Sequence, residues 1–233
     1  ETKNDLVGAK FNVYVWNSAS NSYQQYVVDG HDVTLIRQSD GTYQTYDWLY
    51  YSPSNQGKYR VIETTTPTGY VGDYSNIGTK ENKVYDINVT SQNNNQVVTI
   101  SNSSDGTFLN TRVKGKINVS IIDSETRRQL AQGDATLQGA VYGLYARENI
   151  VHADGKTGVL YEKDELVATG TIQDFKMTFE NLELGKYYIK QITPSEGYKN
   201  DTREYDVDLA YVDDTVTLVE KDVTIVTFLD LDI

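Results

Sequence analysis

Apolar and polar residues alternate with a period of two along much of this chain. Ala9, Phe11, Val13 and Val15 fall on one face of a segment, as do Ile117, Val119 and Ile121, and then Tyr187, Ile189 and Gln191. Alternation of this kind places successive side chains on opposite faces of a strand, and no segment offers a sustained helical stripe. Turn-forming clusters punctuate the runs: Asp40-Gly41, Asn93-Asn94-Asn95, Asp105-Gly106, Asp154-Gly155 and Asp213-Asp214. With 19 tyrosines and 17 glycines the chain reads as all-β.

The pattern occurs twice. Gly57-Lys58-Tyr59-Arg60-Val61-Ile62-Glu63-Thr64-Thr65-Thr66-Pro67-Thr68-Gly69-Tyr70 is echoed by Gly185-Lys186-Tyr187-Tyr188-Ile189-Lys190-Gln191-Ile192-Thr193-Pro194-Ser195-Glu196-Gly197-Tyr198. Gly8-Ala9-Lys10-Phe11-Asn12-Val13-Tyr14 lines up with Gly139-Ala140-Val141-Tyr142-Gly143-Leu144-Tyr145. Tyr85-Asp86-Ile87-Asn88-Val89 matches Tyr205-Asp206-Val207-Asp208-Leu209, and Thr107-Phe108-Leu109-Asn110 matches Thr227-Phe228-Leu229-Asp230, both 120 residues apart (205 minus 85, 230 minus 110). These matches predict two tandem domains, 1–112 and 113–233, joined by a short linker that restricts motion. A length of 233 residues holds two modest cores of about 100 to 120 residues each.

Composition removes several function classes. Acidic residues outnumber basic ones by 33 to 21, and a net charge of -12 repels phosphate backbones and anionic lipid, so nucleic-acid binding is not expected. No run approaches the roughly 18 apolar residues of a membrane span, and Glu1-Thr2-Lys3-Asn4-Asp5 lacks the parts of a signal peptide. A soluble chain without membrane insertion, an excised fragment or a mature segment, is the expectation. Absence of cysteine excludes disulfides, thiolate metal sites and thiol nucleophiles, so stability must come from packing or another cross-link.

On the G-A-x-F/Y-x-L/V-Y segment and the Y-x-I/V-x-E/Q element running into proline and G-Y, both copies resemble the Cna B-type, SpaA-like (prealbumin-like) domains of Gram-positive surface proteins and pilins. The most specific part is Tyr59-x-Val61-x-Glu63-x-x-x-Pro67-x-Gly69-Tyr70. The resemblance implies two tandem immunoglobulin-like β-sandwiches of reversed topology, and an isopeptide bond between a first-strand lysine and a last-strand asparagine or aspartate, assisted by a buried glutamate. Burial favours the neutral, nucleophilic amine and the protonated acid, so each is prepared for proton transfer. Packing supplies proximity, and the reaction occurs once rather than as enzyme turnover.

Carried onto this sequence, the first copy has Glu63 in the acid position and Asn110 in the electrophile position. The family lysine falls four residues ahead of Glu1, Lys10 alternates out of phase with Ala9 and Phe11, and Lys3 lies in the connecting turn. In the second copy Ile121 stands in the lysine slot of a K-x-D segment, Gln191 replaces the glutamate and Asp230 takes the last-strand slot. Lysine and glutamate have gone together, as expected if a lone buried charge would cost several kcal/mol. The first domain alone is therefore expected to cross-link; the alternatives are an edge-strand Glu63, an Asn110 that caps the last strand, and an edge that accepts a strand from another chain.

Other residues offer less chemistry. His31 and His152 sit in polar turns away from any second ligand, and Asp201, Asp206, Asp208, Asp213 and Asp214 lack calcium-loop spacing, so neither metal nor cofactor is expected. In Thr42–Tyr51, alignment with Phe179 and Leu182 puts Tyr46 and Leu49 in the core and leaves Tyr50 and Tyr51 in a loop as a ligand surface. The resemblance implies a structural stalk or pilin-like module, extracellular and wall-anchored through regions outside this chain, with other domains or subunits of a surface protein as partners. The alternatives are an adhesin gripping host matrix protein or glycan through that loop, or an accessory binding module of a secreted enzyme.

Overall fold

The computed structural model describes residues 7–93, 95–104 and 106–230. Its backbone divides into two compact units, one of Glu1–Arg112 with Asp213–Thr215, the other of Val113–Val212 with Val216–Ile233. The chain is nearly all-β. Glu1 and Lys3 lie outside the described residues.

In the first unit, strands β1 (Lys10–Asn17), β2 (Ser22–Gln25), β3 (Thr34–Arg37), β4 (Tyr43–Gln44), β5 (Lys58–Thr65) and β6 (Tyr85–Asn88) form one antiparallel sheet in the order β6-β5-β1-β3-β4, with β2 also on β1. The alternation of β1 buries Phe11 and Val13 and exposes Lys10, while β5 buries Tyr59, Val61 and Glu63. Phe11, Val13, Val33, Tyr59, Val61 and Ile87 form the core, and Ile100 and Phe108 pack on it from the C-terminal segment. The Phe11 ring meets Phe108 and Tyr43 edge-on, at 5.0 and 5.1 Å between centroids, a geometry aromatic quadrupoles favour. Between Gln96 and Asn110 the described residues include no strand.

Gly57 opens the repeated element for a physical reason. Its φ is +69°, and a Cβ there would stand 2.3 Å from the Val89 carbonyl oxygen, so the turn into β5 admits no side chain.

One core expectation fails. Tyr46 is 71% exposed, its hydroxyl donating to Gln38 Oε1 at 3.0 Å, whereas Leu49 packs partly buried on the core. Tyr43 and Leu49 share the odd-numbered, inward phase of this segment, which turns Tyr46 outward; the second copy reaches its own phase through a bulged residue, Asn181, at φ +55°.

The second unit is a two-sheet sandwich. Strands β7 (Lys114–Asp123), β8 (Val141–Ala146), β9 (Leu166–Thr171), β10 (Lys176–Leu182), β11 (Gly185–Thr193), β12 (Glu204–Leu209) and β13 (Leu218–Thr227) make sheets ordered β10-β7-β13 and β9-β8-β11-β12. First strand and last run parallel, from Lys114 opposite Leu218 to Asp123 opposite Thr227. Every second residue of β7 is buried, Gly115, Ile117, Val119, Ile121 and Asp123, which is what a strand with one covered face requires.

Candidate functional site

Glu63 occupies an inward position of β5 opposite Phe11 of β1, and only 5% of it is exposed. Phe11 offers it no polar group. The carboxyl instead meets Asn110, whose Nδ2 donates to Glu63 Oε1 at 2.8 Å. The second carboxyl oxygen, Oε2, and the Asn110 carbonyl oxygen, Oδ1, are both buried without a hydrogen-bond partner among the described residues. Burial pushes the Glu63 carboxyl up to about 7; the Asn110 hydrogen bond and the Asp73 main-chain N–H oppose this, and the nearby Asp73 carboxylate adds to it.

Two unpartnered buried oxygens on a hydrogen-bonded pair of residues are unusual, because a buried polar atom left unpaired costs about 1–3 kcal/mol. What would satisfy them is a donor with several hydrogens, and an amine or ammonium fits. An acid that is half protonated near neutrality can exchange protons with an amine and with the Asn110 amide nitrogen it touches. Lys10, whose side chain is exposed, does not point into the core.

The second unit resolves the same position differently. Gln191 pairs across the sheet with Tyr142, the counterpart of Phe11, and its Nε2 donates to the Tyr142 hydroxyl at 3.0 Å. Its Oε1 accepts from the Asp201 main-chain N–H at 2.6 Å. The tyrosine hydroxyl therefore gives the amide a partner that phenylalanine cannot, a correlation visible in the aligned G-A segments. Ile121 is fully buried beside Ile225 of the last strand.

Main-chain hydrogen bonds place the last segments in a different correspondence from the sequence match. Val71 N–H bonds to Thr111 O in the first unit, and Lys199 N–H to Phe228 O in the second. Counted from these bonds, Asn110 corresponds to Thr227, whose hydroxyl is also buried without a partner among the described residues, and Asp230 comes three residues later, half-buried, its N–H on Gly197 O.

Asp123, two residues beyond Ile121, is a site of a different kind. It is fully buried and accepts from the N–H groups of Glu125 and Thr126, from Gln132 Nε2 and from the Tyr198 hydroxyl. Burial pushes its carboxyl up, but these four donors more than offset that and hold it below the ordinary range. It clamps the turn leaving β7 to the Gly197-Tyr198 turn.

Tyr50 and Tyr51 project into solvent, 63% and 64% exposed. The main chain beneath them is fixed, since Tyr50 O accepts from the buried Tyr59 hydroxyl at 2.6 Å and from Asn55 Nδ2 at 2.8 Å. His31 is exposed, 3.4 Å from Asp47. Asp201 is held by Arg203 and by the Tyr205 hydroxyl.

Residues 115–224 match the family described as SpaA: Prealbumin-like fold domain. Among solved structures, the Bacillus anthracis TIE protein superposes with a TM-score of 0.55 at 19% identity, over 98% of this chain and 32% of that one. The chain thus spans about a third of that protein's length. The C-terminal fragment of pilus adhesin SpaC from Lactobacillus rhamnosus GG aligns with a TM-score of 0.45 at 13% identity, covering 97% of this chain and 90% of that fragment. The group B streptococcus pilus 2b backbone protein gives 0.38 at 14% identity, over 98% and 81%. No curated protein matches in sequence.

Proposed function

With residues 115–224 a SpaA prealbumin-like domain, we propose that the chain is a pair of structural modules from a Gram-positive surface protein, pilin-like or part of a stalk, and that only the first can be locked covalently. Its partners are then other domains or subunits of that surface protein, outside the cell, and no turnover chemistry is involved.

The observation that carries this reading is the buried Glu63–Asn110 contact with its two unpartnered oxygens. A lysine on a strand lying where β7 lies in the second unit would bring its amine to those oxygens. The neutral amine attacks Asn110 Cγ, Glu63 relays a proton to the leaving nitrogen, and an amide forms with release of one ammonia. Closing a loop of about 100 residues would add roughly 4.7 kcal/mol by the chain-entropy estimate for cross-links. Ile121, Gln191 and Thr227 provide no such chemistry, so the second unit stays uncross-linked.

The test is the intact mass of a longer protein that carries this chain with a lysine-bearing first strand ahead of Glu1, in which one ammonia should be missing and should return in Glu63→Ala. A mass equal to that of the longer sequence overturns the cross-link, as does a loss that survives the substitution. The exposed Tyr50–Tyr51 loop favours a second reading as an adhesive surface, for which loss of binding to matrix-protein or mucin arrays on mutating both tyrosines is the check.

A further inference from the structure

The other face of β5 carries a separate constellation, pointing away from Glu63. Tyr14, Trp16, Asn21, Ser22, Tyr23, Arg60 and Ile62 line an open groove of ≈ 600 Å³. Trp16 and Tyr23 are cross-strand partners with rings 5.2 Å apart and edge-on. The Arg60 guanidinium lies 3.8 Å from the Tyr23 ring centroid, and Asp86 holds it from one side, accepting from Nε at 2.9 Å and Nη2 at 3.2 Å. Lys58 Nζ stands 5.4 Å from the Trp16 ring.

We infer that this groove is a binding site for an acidic saccharide. A guanidinium has five N–H donors; Asp86 takes two, and the Nη1–Nη2 end keeps three, already oriented by the stack on Tyr23. That end is a fork for a carboxylate, with Lys58 beside Trp16 as a second cation, a local pair of positive groups that must outweigh the repulsion an anion meets from a net charge of -12. Tyr14, Trp16 and Ile62 supply the flat apolar walls that the C–H face of a pyranose requires, and Asn21 and Ser22 supply amide and hydroxyl groups at the rim.

The test is a titration of isotopically labelled chain with oligogalacturonate, with neutral cello-oligosaccharide and an acidic hexapeptide in parallel, read by amide, Trp indole and Arg side-chain resonances. Oligogalacturonate should shift Trp16 and Arg60 signals. Arg60→Gln should weaken it about tenfold, the scale of one charge-assisted hydrogen-bonded pair, and Tyr14→Ala should weaken it as well. Absence of shifts at millimolar oligogalacturonate overturns the inference, as does equal binding of the neutral sugar, tighter binding of the peptide, or indifference to Arg60→Gln. The Glu63–Asn110 chemistry is read by mass on the opposite face, so either proposal can fail alone.

Discussion

Replacing Glu63 by glutamine in the chain of residues 1–233 copies into the first unit the choice made at Gln191. With its carboxyl raised from 4.5 to about 7, Glu63 binds a proton more tightly in the folded than in the unfolded state. Below pH 4.5 both states are protonated and there is no penalty; as pH rises toward 7 the unfolded state ionises first, and stability falls until both are ionised. The gap of 2.5 units (7 minus 4.5), at about 1.4 kcal/mol per unit, is worth about 3 kcal/mol of order-of-magnitude destabilisation at pH 8 relative to pH 4. Glutamine keeps an acceptor for Asn110 Nδ2 and removes the titration. Glu63→Gln should therefore match the parent near pH 4 and exceed it at pH 8 by about 3 kcal/mol, a midpoint shift on the order of 10 °C or more for a unit of this size. Both tryptophans, Trp16 and Trp48, belong to the first unit, so tryptophan fluorescence reports its unfolding selectively. Parallel pH dependence in parent and variant, or a less stable variant at pH 8, would refute the reasoning.

Three other outcomes follow from the geometry. Asp123→Ala strips four donors of their acceptor and should destabilise the second unit by roughly 2–4 kcal/mol, measured by urea unfolding followed by circular dichroism. Because the Asp123 carboxyl is held below its ordinary value of 3.8, its contribution is present above that pH and lost as pH falls through the folded value, so the second unit should weaken in acid where the first does not lose Glu63's support. Gly57→Ala forces a side chain against the Val89 carbonyl at positive φ and should cost the first unit about 1–3 kcal/mol in the same fluorescence assay, without disturbing the second.

Much of this was legible in the residues. Period-two alternation placed Ile117, Val119 and Ile121 inside, together with Tyr187 and Ile189, because a strand with one covered face leaves no other solution. The same logic put Glu63 inward, and the buried carboxyl has the amide of Asn110 beside it. Tyr46 was misplaced because its alignment with Phe179 ignored the bulge at Asn181, and one extra residue in a strand reverses every side chain after it. The pairing of Asn110 with Asp230 followed identical letters, Thr-Phe-Leu, whereas hydrogen bonds to the Gly-Tyr turn set the backbone correspondence, and those bonds point to Thr227. Asp123 drew no attention as a clamp, since four donors converging from 125, 126, 132 and 198 have no local sequence signature.

The most direct test of covalent locking in one unit only is fragmentation mass spectrometry of a proteolysed longer protein that carries this chain with a lysine-bearing first strand ahead of Glu1. The account predicts a branched peptide joining a lysine side chain to Asn110, and ordinary linear peptides spanning Ile121, Gln191, Thr227 and Asp230. A linear peptide containing unmodified Asn110, or a branched peptide from the second unit, would contradict it.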